Sequence, residues 1–428
     1  MLSLLGFGMI TIFMVLIMNK KMTPLTALVL IPIIVATLAG FGPELGDMMT
    51  KGVRQISLTG IMLIFAILYF SLMIDTGLFE PLVNIILKYV GDNPVKTTVG
   101  TAILTAIVSL DGDGSSTYLI VVAAFLPLYK RQKINPLVLT CIVMLTGGIM
   151  NIIPWGGPTA RAMSTLSLGH SELFVPLIPV MAFGIVWVLI VSYILGKKEA
   201  KRIRENVVHI KYNTSDILGE VDETLKRPKL IFVNLGLTIA LLVVMILDIL
   251  PLSICFMIAY CIAALINYPQ IKDQTKIISR HAGNALSVAG MIFGAGIFTG
   301  ILNGTGIMHA MGSSVIDIVP DHLGNYFTII TAVFSGPLTF FLSNDAYYFG
   351  ILPIIATTGE HLGISSELLG RASLIGQATH LLSPLVPSTY LLVALAGVEF
   401  GDHLKFTLKW AIGSGIVMLL AAIGLGVI

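Results

Sequence analysis

The chain has 428 residues, 56% of them hydrophobic and only 11% charged, and its mean hydropathy is +0.95. A soluble domain carries about 25% charged residues, so this composition excludes an ordinary soluble enzyme and a disordered chain, and a net charge of +2 offers little to nucleic acid. Cys141, Cys255 and Cys261 sit in apolar runs without metal-ligand spacing or a disulfide framework. What remains is an all-α polytopic membrane protein, with room for roughly ten spans at about 20 residues each.

The first apolar run, Leu2 to Met18, lacks a basic leader and a small-residue cleavage site, so it reads as a span and not a signal peptide. Pro24 to Phe41 and Ser57 to Ile74 follow as spans. Phe79 to Val90 is shorter and amphipathic, which suits the membrane interface. Thr97 to Leu110 and Thr117 to Tyr129 are too short to span comfortably and flank the polar stretch Asp111 to Ser116. That pattern predicts a re-entrant hairpin near 97–129, whose tip needs cover from protein or water. Asn135 to Ser167 contains Pro154, Gly156, Gly157 and Pro158 and reads as a broken helix. Phe174 to Leu195 spans again, and Lys197 to Lys229 is the one long hydrophilic loop.

The order then repeats. Leu230 to Leu247, Leu252 to Ile266 and Ala285 to Leu302 read as spans, and Ile307 to Val319 as interfacial. Tyr326 to Phe341 and Tyr347 to Thr357 flank Leu342 to Ala346, a second hairpin. Leu368 to Ala396 is broken at Ser383, Pro384 and Pro387, and Phe406 to Ile428 closes the chain. Thr76-Gly77 overlays on Thr305-Gly306, and Pro158-Thr159 on Pro387-Ser388 at the same offset; Asp113 and Asp345 match after a slip of three residues. With the turn at Lys20-Lys21 inside, only Lys51 and Arg54 of the 25 basic residues fall outside, and Arg161 and Arg371 lie near membrane depth. This bias fits the positive-inside rule. It puts the loop 197–229 in the cytoplasm and both termini outside, and makes 1–196 and 230–428 inverted repeats, a transporter signature.

Ionisable groups at membrane depth are functional candidates. Four clusters stand out. In the first tip, Asp111 and Asp113 can take a cation or a proton, while Gly112, Gly114, Ser115 and Ser116 offer backbone and hydroxyls to carboxylate oxygens. The second tip holds Ser343, Asn344 and Asp345. The first break holds Asn151, Gly156, Gly157, Thr159 and Arg161; Arg161 suits an anionic group through its fork, or else pairs with an aspartate or reaches the surface. The second break holds His380, Ser388 and Thr389; His380 either transfers a proton or stays neutral in a hydrogen-bond network. Asp75 reads as a helix end, Trp155 as packing, and the glycines between Gly290 and Gly300 as close helix contact and not a phosphate loop. No nucleotide-phosphate loop, kinase signature or zinc motif is present.

Two polar-tipped hairpins, each followed by a broken helix, resemble the ion transporter superfamily. Ser343-Asn344 keeps that superfamily's Ser-Asn-Thr tip pattern, with Asp345 departing at the third position and Asp111-Gly112-Asp113 replacing the first triplet. These departures, the opening stretch Met1 to Gly42 and the segment 75–81 resemble the citrate–divalent metal:proton symporter family. The resemblance implies an elevator-like secondary transporter, not an enzyme, in the cell membrane. It implies citrate as substrate, entering with a co-transported divalent cation of the magnesium or calcium class, no permanently bound cofactor, and coupling to protons. Asp111, Asp113 and Asp345 are then the metal-facing residues, and these three with His380 the proton-coupling candidates. A homodimer stays open as the assembly. The alternatives are a proton- or sodium-coupled carrier of another organic acid such as gluconate or a dicarboxylate, a sodium/proton exchanger, and a membrane-embedded metal-dependent enzyme, against which the duplication argues.

Overall fold

Several helix starts are written into the sequence as a capping residue followed by proline. Proline's missing N–H costs nothing at the first helical position, and an Asn or Thr side chain before it takes up free N–H groups. Thr23 caps α2 (Pro24–Leu38), which follows α1 (Leu2–Met18). Asn93 caps α5 (Pro94–Val108), accepting from the Val95 and Lys96 amides at 2.9 and 3.3 Å. Asn135 caps α7 (Pro136–Met150), accepting from Leu137 at 3.0 Å. Between these lie α3 (Leu45–Asp75), the amphipathic α4 (Glu80–Val90) and α6 (Gly114–Arg131).

The computed structural model describes residues 2–19, 21–112, 114–205, 223–247, 249–316, 324, 326–342, 344–383 and 386–428. Among them the regular structure is helical throughout. After α7 come α8 (Gly157–Leu166) and α9 (Ile178–Glu205). The second half holds α10 (Ile231–Ile246), α11 (Leu252–Asn267), α12 (Ile271–Gly304), α13 (Ile307–Ile316) and α14 (Phe327–Phe341). A π-helical segment, Ala346–Ile351, leads into α15 (Leu352–His361). α16 (Ser366–Ile375), the turn Gln377–His380, α17 (Pro387–Ala396) and α18 (Phe400–Gly424) end the chain. Five helical stretches of the described residues are long and apolar enough to cross a membrane, namely Gly42–Asp75, His170–Arg204, Pro228–Met245, Ile271–Gly304 and Phe400–Gly424.

α3 and α12 form the central crossing. A side chain on Gly52 would strike the backbone of Gly296 and Gly300, so the two helices touch main chain to main chain. Between membrane helices, where water expulsion does not drive association, such small-residue contact supplies the packing. This accounts for Gly296 and Gly300, while Gly290 and Gly294 face side chains of α2, Leu25 foremost.

Where the sequence predicts the first hairpin, α5 and α6 flank the polar run. Thr97 and Thr101 of α5 hydrogen-bond Gln132 and Tyr129 at 2.8 and 3.1 Å, which runs α5 and α6 antiparallel from a turn at Ser109–Gly112. The second is built differently. α14 packs on α16 and on the turn Gln377–His380, and α15 packs on α13 and also on α16.

Some boundaries moved. α3 and α12 begin well before the expected Ser57 and Ala285, because their first turns carry charge that hydropathy does not count. The loop expected from Lys197 starts later, since 197–205 continues α9 in strong helix formers; residues 206–222 lie outside those described. α18 starts at Phe400, not Phe406, and ends at Gly424.

Candidate functional site

Each half has a helix that stops and restarts. In the first, α7 ends at Met150 and α8 starts at Gly157. The Thr159 hydroxyl donates across the break to the Ile152 carbonyl at 2.7 Å. In the second, the helix already kinks at Gly376, where a side chain would collide with Ser335 and Gly336 of α14. The Thr389 hydroxyl then donates back to the Leu381 carbonyl at 2.5 Å. Thr159 and Thr389 therefore do the same job in the two breaks, although the sequence overlay pairs Thr159 with Ser388. Both threonines are fully buried, and their hydroxyl protons are committed to the loops they brace.

The first tip lies against both breaks. Gly112 has φ +75°, a left-handed conformation that suits glycine, and a side chain there would meet Trp155 Cδ1 at 2.8 Å. Trp155 donates its indole N–H to the Leu110 carbonyl at 2.8 Å and stacks on Phe70 with ring centroids 5.5 Å apart. The expected packing role of Trp155 thus includes fastening the tip to the first break. Gly114 faces the Ser388 hydroxyl of the second break. Asp111 is buried and its Oδ1 accepts from the Thr117 hydroxyl at 3.2 Å. Ser115 and Ser116 open α6, and Asn151 closes α7. Asp113 and Ser343 lie outside the described residues.

The second tip is tied to the first break by charge. Arg161 Nε donates to Asp345 Oδ1 at 2.7 Å, and the two side chains are only 11% and 12% exposed. Arg161 Nη1 donates to the Gly157 carbonyl at 2.9 Å, one turn back. Phe349 lies 6.0 Å under the guanidinium. The alternative in which Arg161 reaches an aspartate is the arrangement found. Desolvation opposes such a pair, but once it is buried, removing either partner strands the other charge.

The second tip also reaches the second break. Gln377, fully buried, donates to Asn344 Oδ1 at 3.3 Å and to the Tyr348 hydroxyl at 2.9 Å. Tyr348 in turn donates to the Ser373 carbonyl at 3.2 Å. His380 is buried with Nδ1 2.7 Å from the Thr339 carbonyl of α14, a contact in which Nδ1 carries the proton. Gln377 and Tyr348 were not singled out from sequence. Their nearness to His380 and Asp345 along the chain was the available signal.

The structure thus brings together Gly112 and Gly114 with the two breaks, and Asn344 and Asp345 with Gly157, Arg161 and Gln377. Among the described residues it does not gather carboxylates into a ready cation cage. Among the described residues no three His, Cys, Asp or Glu side chains are placed to hold a metal ion, and Asp345 is committed to Arg161. The arrangement offers a buried guanidinium paired with a carboxylate between the first break and the second tip.

Long apolar helices, an antiparallel hairpin and two interrupted helices with their polar groups turned inward define a multi-pass membrane transporter. In fold the chain is similar to the crystal structure of the YdaH transporter of Alcanivorax borkumensis, with a TM-score of 0.55, 13% identity, and coverage of 91% of this chain and 89% of that one. A family profile described as "Citrate transporter" (CitMHS) matches residues 13–376. A citrate transporter of Bacillus subtilis (strain 168) is 55% identical over 428 residues, covering 100% of both chains. The Mg(2+)/citrate complex secondary transporter of the same organism is 48% identical over 431 residues, covering 100% of this chain and 99% of its own. The chain belongs to the citrate transporter family CitMHS.

Proposed function

We propose that this protein carries citrate as its complex with a divalent cation, driven by protons, with Arg161 and Asp345 as the coupling pair. The reading draws on the family, on the Mg(2+)/citrate relative, and on one observation above the others: the buried ion pair that joins the second tip to the first break.

The coupling follows from charge. Fully ionised citrate and one divalent cation sum to a single negative charge. With Asp345 ionised, Arg161 is already neutralised and a second anion gains little. Protonation of Asp345 frees Arg161 for a citrate carboxylate, and its fork favours two-point contact. A proton without substrate strands the arginine; substrate without a proton strands the aspartate. Each stranded state costs several kcal/mol in a buried site, so the two cargoes move together. On the far side the proton leaves, Asp345 recaptures Arg161, and citrate is displaced.

In this account Asp111 and Asp113 of the first tip face the cation, which keeps some of its waters if it is magnesium. Gly112, Gly114, Ser115, Ser116, Asn151, Gly156, Ser343, Asn344 and Ser388 supply backbone and side-chain contacts to the remaining oxygens. The hairpins and broken helices form the mobile unit and the other spans its frame, in two inverted repeats, 1–196 and 230–428. The recurring order of long helix, short helix, hairpin and broken helix supports that division.

The test is uptake of labelled citrate into proteoliposomes, with each of several divalent cations and with or without a pH gradient. The reading expects uptake to need the cation and to rise when the outside is acidified. Cation-independent uptake, or uptake driven by sodium at constant pH, contradicts it.

A further inference from the structure

Away from the tips, α13 and α15 carry a second feature that the transport reading does not use. His309 of α13 and His361, the last residue of α15, face each other with ring centroids 4.8 Å apart and planes 69° apart. Both side chains are exposed. Neither sits on a loop: one turn along the same contact, a side chain on Gly312 would strike Thr357 at 2.5 Å, so the two helices are tightly apposed there. The pair is therefore presented by packed backbone.

We propose that His309 and His361 form a binding site for a borderline divalent cation such as zinc, nickel or cobalt. Two imidazoles on one zinc, with bonds of about 2 Å, hold their ring centroids about 5 Å apart, which is close to the spacing already present. Imidazole selects these ions over magnesium and calcium, which want oxygen ligands. The carbonyls at the end of α15 place partial negative charge beside His361 and favour a cation there. With two protein ligands, the remaining positions go to water or to a carboxylate from solution. The ion links α13 to the arm that follows Asp345, so its occupancy braces α15 against α13. The site shares no residue with the proposed citrate site and stands whether or not that reading holds.

The experiment uses tag-free, full-length protein in detergent and zinc alone, without citrate. Calorimetric titration is expected to show one zinc per chain. His309→Ala and His361→Ala should each weaken binding by about a hundredfold, because the second ligand's effective concentration is lost. Hydrogen exchange in 307–316 and 352–361 should slow on adding zinc to the parent and not to the variants. No zinc binding by the parent overturns the site, as does binding as tight as the parent's in both variants. Zinc binding through the pair without slower exchange overturns the brace.

Discussion

The two hairpins come from matching places in the two halves, yet they are held in different ways. The first is closed on itself: α5 and α6 run antiparallel, pinned by Thr97–Gln132 and Thr101–Tyr129, and its buried Asp111 takes a hydroxyl from its own second arm. The second has both arms seated on α16 and its second arm also on α13, a π-helical start to that second arm, and an aspartate whose counterion comes from the other half of the chain. A closed hairpin with local hydrogen bonds is a stiff support. A tip whose position depends on a buried charge pair changes its partners when that charge changes. On the proposed function, the first tip is the support and the second the coupling element.

The largest effect that sharpens this contrast is expected from Arg161→Ala. It leaves Asp345 buried without a counterion, at a cost on the order of 3–5 kcal/mol. Thermal unfolding of the purified variant should show the loss, and citrate uptake per unit of protein should vanish. Arg161→Lys keeps the charge and loses the fork, so the apparent KM for citrate should rise while uptake persists. A variant that melts and transports like the parent would break the contrast.

Next in size is Gln377→Ala, which removes the partner of both Asn344 and Tyr348. An unsatisfied buried polar group costs about 1–3 kcal/mol, so the melting temperature should fall and uptake should slow. Gly112→Ala comes third. The left-handed backbone alone costs about 1 kcal/mol with a side chain, and the methyl meets Trp155. Its signature should be a raised KM with the pH response intact, because the first tip shifts while the coupling pair is untouched. The smallest effect on stability is expected from Asp111→Asn, about 1 kcal/mol or less, since an amide oxygen still accepts from Thr117. Its readout is the cation: the dependence of uptake on divalent metal should weaken. An unchanged cation dependence would remove Asp111 from the metal-facing role.

Local pattern carried much of this in the sequence. The polar run Asp111 to Ser116 between short apolar arms, and the Pro and Gly cluster near 154–158, mark backbone that cannot continue as a helix, and the hairpin and first break lie there. Gly52 meeting Gly296 and Gly300 was half legible, as small residues at helical spacing without their partner. Long-range choices were not legible. Which carboxylate meets Arg161 depends on packing between segments 184 residues apart, and nothing near Arg161 encodes it. The early kink at Gly376 has the same origin, because it is the approach of Ser335 and Gly336 that stops the helix there. The seating of the second hairpin's arms on α16 and α13 likewise arises from packing between segments, not from the arms' own composition.

The central claim is that the proton and the citrate complex exchange at the Arg161–Asp345 pair. Simultaneous recording of labelled citrate flux and internal pH in proteoliposomes tests it in parent and Asp345→Asn, with a saturating divalent cation. The account predicts that the parent acidifies the lumen as citrate enters, and that Asp345→Asn still exchanges citrate down its gradient without moving protons and ignores an imposed pH gradient. Citrate-linked acidification that is undiminished in Asp345→Asn would contradict it.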